Sequence, residues 1–309
     1  MTADERALVH RVLFYDREEE FLTTTAPFLR EGLATDDVIL AVAPPAKIDA
    51  LRDTLGQDAS SMRFIDATEF YRHPVRAIAA YSDLMRSHAP RRVRGIGELD
   101  WRGLTPLETA EWTRYESIVN AAFATSGVQA ICSYDKRSAG PEALSAAVRT
   151  HSEVLGDHGS ATGYTNPEVF NADLDRSPLP PPPPQAEFRL IEGEHLQDLR
   201  SFVAERADRH GMAREALGNL LMAVTEAATN AIKHGTPPAS VRLWTAAGYL
   251  VCEITDHGHW EPGALLGLIP PATTPPRFGI WGMRMLTDIV QIRTGRPRTV
   301  IRLLSRLPT

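Results

Sequence analysis

The sequence predicts an α/β protein with two domains in series. In the first half, short apolar segments typical of strands alternate with longer segments typical of helices, which is the pattern of a mainly parallel sheet with helices on both faces. A proline run, Ser177-Pro-Leu-Pro-Pro-Pro-Pro-Pro184, interrupts this pattern. The chain has 309 residues, enough for two domains of ordinary size. We therefore predict a first domain over residues 8–172, a proline-rich linker over 173–186 and a second domain over 187–309.

Composition argues against several classes of protein. Hydrophobic residues make up 43% of the chain and charged residues 23%, as in an ordinary soluble domain. The formal net charge of −6 argues against a nucleic-acid-binding surface. Cys132 and Cys252 lie in different halves, so neither a disulfide framework nor a cysteine metal quartet is expected. With no membrane-length apolar run and no signal-peptide pattern after Met1, we expect a cytoplasmic protein without a membrane contact.

The elements of the first half follow from apolar periodicity. Strands are predicted at residues 9–15, 37–43, 62–66, 93–98 and 128–134. Helices are predicted at residues 18–33, 47–55, 75–88, 106–124 and 141–155. The first strand is followed by Asp16-Arg-Glu-Glu-Glu20, and no Gly-x4-Gly-Lys-Ser/Thr motif occurs in the sequence. Acidic residues at that turn would repel phosphate, so the first domain is not predicted to bind a nucleotide.

In the second half, one predicted helix carries two polar residues on the same face. Its apolar positions are Leu217, Leu220, Leu221 and Val224. Glu226 and Asn230 follow one turn apart, and burying both on an apolar helix is costly unless both groups are used. The amide oxygen of Asn230 can ligate a hard cation such as Mg²⁺. Glu226 can orient or deprotonate a nucleophile beside that cation.

Two further motifs follow this helix. The segment Tyr249–Thr255 alternates like a strand and leads into Asp256-His257-Gly258. An aspartate followed closely by a glycine suits an adenine amino group, because the carboxylate accepts the N–H and the missing Cβ lets the ring approach. The segment Phe278-Gly279-Ile280-Trp281-Gly282-Met283 then opens a helical run that continues to Val290. Glycines at a helix start expose amide groups that can bind phosphate.

The order of these motifs resembles that of the GHKL, or Bergerat-fold, ATPases, and most closely the serine-kinase anti-sigma factors of bacteria. The resemblance covers residues 187–309 and implies a C-terminal α/β sandwich. It implies that Glu226 is the catalytic base, that Asn230 holds Mg²⁺ and that Asp256 binds adenine. The remaining pocket residues that it implies are Gly258, Gly279 and Thr299.

The same resemblance implies a regulator that binds ATP and Mg²⁺ and sequesters an alternative sigma factor. It further implies a protein serine/threonine kinase acting on an anti-anti-sigma protein of the STAS type, and it allows a homodimer. Two residues depart from the family pattern, because Trp260 and Arg277 stand at positions where the family usually has glycine. An alternative therefore remains open, in which the chain is a non-catalytic, partner-binding regulator with a degenerate nucleotide pocket.

The first half resembles the MEDS sensory domain over residues 8–155. The segments that carry the resemblance are His10 before Leu13-Phe14-Tyr15, Gly97–Trp101, Ile131–Asp135 and Arg149–His151. The resemblance implies signal input through an unidentified small ligand. His10, Glu98 and His151 are predicted near strand or helix ends, where α/β sheets bind ligands, and are candidates for a metal or small-ligand site.

Two alternatives concern the histidines of the first half. Both can be structural, with Cys132 a buried small hydrophobe. His151 is also the mild candidate for a phosphorylated histidine, since it stands in Thr150-His151-Ser152-Glu153. No paired-helix hairpin is predicted between it and the proline run, so a histidine kinase is not expected.

Overall fold

The computed structural model describes residues 7–156, 163–191, 196–271, 279–295 and 298–308. The chain divides into two compact units, residues 1–171 and residues 172–309. The first unit contains a parallel sheet and the second an antiparallel sheet, each with helices. The predicted α/β class is therefore confirmed. In the described ranges, no helix has both the length and the apolarity needed to cross a bilayer.

The first unit is built on a six-stranded sheet in which every pairing is parallel. Its strands are β1 (Val9–Tyr15), β2 (Val38–Ala43), β3 (Arg63–Asp66), β4 (Val93–Gly97), β5 (Gln129–Asp135) and β6 (Glu153–Leu155), in the order β3-β2-β4-β5-β1-β6. Its helices are α1 (Glu18–Ala34), α2 (Pro45–Leu55), α3 (Ala67–Phe70), α4 (Pro74–His88), α5 (Pro106–Ala122) and α6 (Pro141–Thr150). A further helix, α7, spans Pro167–Asp175.

Helices cover both faces of this sheet, as predicted. In β2, Ile39 and Ala41 belong to the core that contains α1 and α2. Val38, Leu40 and Val42 belong to a second core that contains α3 and α4. Because successive strand residues point to opposite faces, a strand buried on both sides must be apolar throughout, and all six residues of β2 are buried.

The predicted helix over residues 141–155 is wrong at its C-terminal end. Helix α6 ends at Thr150, and His151 has an extended backbone with φ −117° and ψ 138°. Glu153–Leu155 instead forms β6 and pairs in parallel with residues 11–13 of β1. The physical reason is the open edge of β1, whose backbone groups gain partners when this segment becomes a strand.

The second unit is built on a five-stranded antiparallel sheet in the order β10-β11-β9-β8-β7. Its strands are β7 (Glu187–Ile191), β8 (Ala239–Ala246), β9 (Tyr249–Asp256), β10 (Ile289–Arg293) and β11 (Thr299–Arg306). Its helices are α8 (Leu196–Arg209), α9 (Arg214–His234) and α10 (Gly279–Leu286). These helices share one core with the sheet face that carries Val241, Ile254 and Leu303.

The predicted helical run from Met283 to Val290 is also too long. Helix α10 ends at Leu286, where the Thr287 backbone amide and hydroxyl both donate to the Met283 carbonyl. Ile289–Arg293 then forms β10 beside β11. The apolar residues of this stretch suit either a helix or a strand. The strand forms because it pairs with the free edge of β11, which gives the backbone groups of both segments hydrogen-bond partners.

The face of this sheet opposite the helices carries a buried ion pair. Arg302 donates through Nε to Glu253 Oε2 at 2.7 Å, and both side chains are buried. Arg302 also donates to the carbonyl of Pro180, and Arg293 donates to the carbonyl of Ser177. Proline lacks an N–H, so the prolines of this segment offer only acceptors, and Arg302 and Arg293 donate to carbonyl groups of the segment. The segment predicted as a linker thus contacts the second sheet.

Candidate functional site

The second unit contains a cavity of about 360 Å³ beside α9 and α10 and at the junction of β9 and β11. The side chains and glycines that line it are Glu226, Asn230, Ala231, His234, Gly235, Asp256, Gly258, Trp260, Leu266, Gly279, Ile280, Thr299 and Ile301. The fold therefore brings every pocket residue proposed from the sequence to the wall of one cavity. The roles of these residues remain predictions.

Helix α9 presents Glu226 and Asn230 to the cavity from adjacent turns. The neighbouring positions Ala223, Ala227 and Ala231 are buried in the core of the unit, which fixes the rotation of the helix. Asn230 Nδ2 donates to Glu226 Oε1 across 3.4 Å. This contact directs the amide oxygen of Asn230 away from the carboxylate, where it can ligate a cation.

Asp256 ends β9 and is buried, with 5% of its surface exposed. Its Oδ1 accepts from the backbone amide of Gly258 at 2.6 Å and from that of Thr236 at 3.4 Å. A Cβ at Gly258 would lie 2.7 Å from this oxygen and 2.9 Å from the Cα of Gly235. A Cβ at Gly235 would lie 2.5 Å from the same oxygen. Both glycines are therefore needed for the backbone to close around the carboxylate.

Thr299 holds the loop that follows Asp256. It begins β11 and pairs directly with Asp256 across the sheet. Its Oγ1 donates to the carbonyl of Gly258 at 3.1 Å, and the amide of His257 donates to the carbonyl of Thr236 at 2.9 Å. The carboxylate thus sits in a rigid frame of two strands and one helix terminus.

The remaining wall of the cavity is apolar. It contains Trp260, one of the two residues that stand where the resembling family usually has glycine. Trp260 lines the cavity with 38% of its surface exposed, close to Leu266 and Ile280. Gly279 begins α10 with a positive φ of 42°, a conformation that favours glycine. Arg277 and the rest of the predicted phosphate loop before Gly279 lie outside the described residues.

This arrangement fits an adenine nucleotide with a hard cation. A cavity of about 360 Å³ falls within the usual range of ligand sites, about 300–1,000 Å³. The oriented carboxylate of Asp256 can accept an adenine amino group, and the amide oxygen of Asn230 can ligate Mg²⁺. Sequence reasoning missed the cavity-lining role of Gly235, although its place directly after the helix motif was a usable signal.

In the first unit, the fold brings His10 and His151 together, with ring centroids 4.0 Å apart. Glu116 of α5 and Cys132 of β5 complete this group, whose ligand atoms all lie within 4.8 Å of one another. Neither residue was a candidate from the sequence. A signal for Glu116 did exist, because Glu116 and Asn120 repeat the one-turn spacing of Glu226 and Asn230.

Glu98, which sequence reasoning grouped with the two histidines, lies elsewhere. Its Oε1 accepts a 2.7 Å hydrogen bond from the hydroxyl of Tyr15, the last residue of β1, whereas His10 is near the start of that strand. Burial raises the pKa of Glu98 to about 7, and the Tyr15 hydrogen bond opposes part of this shift. Glu98 is thus not part of the histidine group.

His151 has none of its surface exposed. A partner protein cannot reach a fully buried imidazole, so the folded unit does not present His151 as a phosphoacceptor. Burial lowers the pKa of His151 well below its usual value, and the neighbouring His10 adds to this effect. His151 is therefore neutral in the folded unit at neutral pH.

Fold and site together define a two-unit α/β protein whose second unit carries an ATPase-like cavity, and the family comparisons agree. Residues 9–152 match the MEDS family, described as the methanogen/methylotroph, DcmR sensory domain. Residues 191–304 match the histidine kinase-like ATPase domain. The chain is a fusion of these two domains, as the sequence motifs predicted.

No curated protein matches the chain. Among solved structures, it is similar to the crystal structure of the RsbU and RsbW domains of Rv1364c from Mycobacterium tuberculosis. That alignment has 17% identity and a TM-score of 0.31, and it covers 40% of this chain and 33% of the other. The chain thus aligns with about a third of that structure.

Proposed function

We propose that the second domain binds ATP with Mg²⁺ and acts as a protein serine/threonine kinase of the anti-sigma-factor type. The observation that carries this proposal is the single cavity lined by Glu226, Asn230, Asp256, Gly258 and Thr299. A cation ligand, a base and an adenine acceptor converge there. The match of residues 191–304 to the histidine kinase-like ATPase domain supports the same proposal.

Each residue has a distinct proposed task. Asp256 accepts a hydrogen bond from the adenine amino group, with its orientation fixed by the amides of Gly258 and Thr236. Asn230 ligates Mg²⁺ through its amide oxygen. Glu226 orients the serine or threonine hydroxyl of the protein substrate and accepts its proton. Bound ATP supplies the phosphoryl group, and Mg²⁺ stabilises its charge.

The proposed partners are an alternative sigma factor, which the domain sequesters, and an anti-anti-sigma protein of the STAS type, which it phosphorylates. This part rests on the resemblance of the motifs in residues 187–309 to the anti-sigma serine kinases. The MEDS domain, matched over residues 9–152, would supply the input that sets the affinity of the second domain for its partner.

The test combines ATP calorimetry, with and without Mg²⁺, and transfer of labelled phosphate to a STAS-type protein. We expect Asn230→Ala to weaken Mg²⁺-dependent binding. Glu226→Ala should keep ATP binding and lose transfer, because a base acts in the transition state rather than in ground-state binding. Glu215→Ala, at an exposed position of the same helix, is the matched control. Equal transfer by the wild type and Glu226→Ala would remove Glu226 from the mechanism.

Trp260 favours a second candidate function, a non-catalytic regulator that binds its partner without ATP turnover. Its indole lines the cavity at a position where the resembling family has glycine. Under this alternative the indole obstructs the nucleotide, so Trp260→Gly should strengthen ATP binding. Under the kinase proposal the indole is a wall of the site, so the same change should weaken binding. Partner binding with no transfer by the wild type would favour the alternative.

A further inference from the structure

Four buried or half-buried side chains converge in the first unit, far in sequence from one another. His10 comes from β1, Glu116 from α5, Cys132 from β5, and His151 from the turn between α6 and β6. His10, Glu116 and His151 each have 5% of their surface or less exposed. His10 Nε2 lies 3.2 Å from Cys132 Sγ and 3.5 Å from Glu116 Oε2.

Hydrogen bonds fix the tautomer of both histidines. His151 Nδ1 lies 2.8 Å from the carbonyl of Ala147, which can only accept, so Nδ1 carries the proton and Nε2 carries a lone pair. His10 Nδ1 lies 3.2 Å from Asn120 Oδ1. Asn120 donates through Nδ2 to the carbonyl of Thr150, so its oxygen is an acceptor for His10. Nε2 of His10 therefore also carries a lone pair.

The result is a group of electron-pair donors that face one another. Nε2 of His151 lies 3.6 Å from Glu116 Oε2. Among the described residues, neither of these two atoms has a hydrogen-bond partner, although both are fully buried. Buried acceptors without donors destabilise the folded state, and the cost is greater when the group is a carboxylate. A cation at the centre of the group would remove this cost.

We propose that His10, Glu116, Cys132 and His151 bind one divalent transition-metal ion, with Zn²⁺ as the best match. Two imidazole nitrogens, a thiolate and a carboxylate form a ligand set that Zn²⁺ accepts in tetrahedral geometry. Metal–ligand bonds of about 2.0–2.3 Å place tetrahedral ligand atoms about 3.3–3.7 Å apart. The three separations given above, 3.2, 3.5 and 3.6 Å, lie within or close to this range, and all ligand atoms of the group lie within 4.8 Å of one another. On binding, the Cys132 thiol releases its proton to solvent, and the two anionic ligands balance the metal charge.

The surroundings support the same proposal. Metal-binding histidines usually donate their other ring N–H to a carbonyl or carboxylate, which holds the ring in place. The Ala147 carbonyl does this for His151 and the Asn120 amide oxygen does it for His10. Cys132 is half-buried and lines an adjoining cavity beside Tyr71 and Tyr115. His10 lines the same cavity, so two of the four proposed ligands adjoin it.

The test uses the full chain and Co²⁺, which gives an absorption band when it binds a thiolate. We expect protein purified without chelator to hold about one equivalent of metal, and metal-depleted protein to show the thiolate band with Co²⁺. Cys132→Ser should remove the band, and Glu116→Gln, which alters a ligand itself, should weaken binding by at least about 100-fold. Asn120→Ala, which removes the acceptor that holds the His10 ring, should weaken binding by about 10- to 100-fold.

Two controls separate this site from the rest of the chain. Cys252→Ser removes the buried cysteine of the second unit and should leave the band unchanged. Asn230→Ala alters the proposed Mg²⁺ ligand and should also leave it unchanged, so the outcome is independent of the proposed ATP site. The proposal is overturned if the wild type retains no metal and gives no thiolate band, or if only Cys252→Ser removes the band. The wild-type measurements decide the question even if a ligand variant does not fold.

Discussion

At the residue scale, the nucleotide site depends on the way one carboxylate is held. Asp256 is fixed by the amides of Gly258 and Thr236, and an asparagine at this position retains an acceptor for both amides. What asparagine lacks is the charge that strengthens a hydrogen bond to an adenine amino group. Asp256 can therefore be tested with a change that preserves the shape of the pocket.

We expect Asp256→Asn to weaken ATP binding about tenfold or more, because a hydrogen bond to a charged group contributes about 1.5–3 kcal/mol. Binding of GTP, which has a carbonyl in place of the adenine amino group, should change far less. Calorimetry of both nucleotides with Mg²⁺ measures the effect. Asp198→Asn, at an exposed position of α8, is the control, and an equal loss for ATP and GTP would contradict the adenine role.

Glu98 gives a prediction about pH. Its pKa is raised from 4.5 to about 7 in the folded unit, mainly by burial. The folded state thus holds this proton more tightly than the unfolded chain, and its stabilising effect is present below about pH 4.5 and lost as the pH rises through about 7. The difference corresponds to at most about 3 kcal/mol of the free energy of unfolding.

We therefore expect Glu98→Gln to make the first unit more stable than the wild type at about pH 8, by up to about 3 kcal/mol, and similar to it at about pH 4. The glutamine oxygen can still accept from the hydroxyl of Tyr15. Urea unfolding of both proteins across this range measures the difference. Glu142→Gln, at an exposed position of α6, is the control, and a pH-independent difference would contradict the raised pKa.

At the element scale, the space for a ligand depends on how closely the end of α9 packs against the end of β9. The helix ends at His234, and Gly235 and Gly258 then meet around the carboxylate of Asp256. A side chain at Gly258 would contact backbone atoms, which cannot rotate away as a flexible side chain can. The glycine earlier in the same helix, Gly218, is exposed and would place its Cβ in open space.

We expect Gly258→Ala to abolish ATP binding, because its Cβ would lie 2.7 Å from Asp256 Oδ1 and 2.9 Å from the Cα of Gly235. Gly218→Ala is the matched control and should keep ATP binding. It should also stabilise the second unit by about 0.5–1 kcal/mol, because alanine is the better helix former. ATP titration and thermal unfolding of each variant give the two readouts. Unchanged ATP affinity in Gly258→Ala would show that the site lies elsewhere.

At the scale of the whole molecule, the proline segment determines where the chain can be divided. Arg302 is buried and donates to the carbonyl of Pro180, and Arg293 donates to Ser177 and Asp175. A fragment that begins at residue 187 loses these acceptors, whereas one that begins at residue 172 retains them. The proposed boundary between independently folding parts is therefore best placed before the proline segment.

We expect fragments 172–309 and 187–309 both to fold, with the longer one more stable by about 1–3 kcal/mol, the usual cost of leaving a buried donor without its partner. Urea unfolding measures both midpoints. Arg302→Lys in the longer fragment should remove part of the difference, while Arg298→Lys serves as a control at a position outside these contacts. Identical midpoints for the two fragments would show that the proline segment adds nothing to the second unit.

The sequence alone determined the features that depend on local chemistry, namely the type of each element and the position of a residue on it. The strand β2 is apolar throughout, so its burial on both faces could be predicted. Glu226 and Asn230 lie one helical turn apart, and Asp256 ends an alternating strand, so their places on the elements followed from periods of 3.6 and 2 residues. The proline run likewise marked the break between the two folding patterns, because its composition favours an extended chain without internal hydrogen bonds.

Tertiary structure decided what depends on contacts between distant segments. Residues 153–155 and 289–293 became strands because β1 and β11 offered free edges, which no local pattern reveals. His10 meets Cys132 and His151 rather than Glu98 because the pairing of β1 with β5 and β6 places the start of β1 beside the first half of β5 and the residues just before β6. Register and strand order are set by the packing of the whole unit, so the composition of the histidine cluster could be known only from the fold.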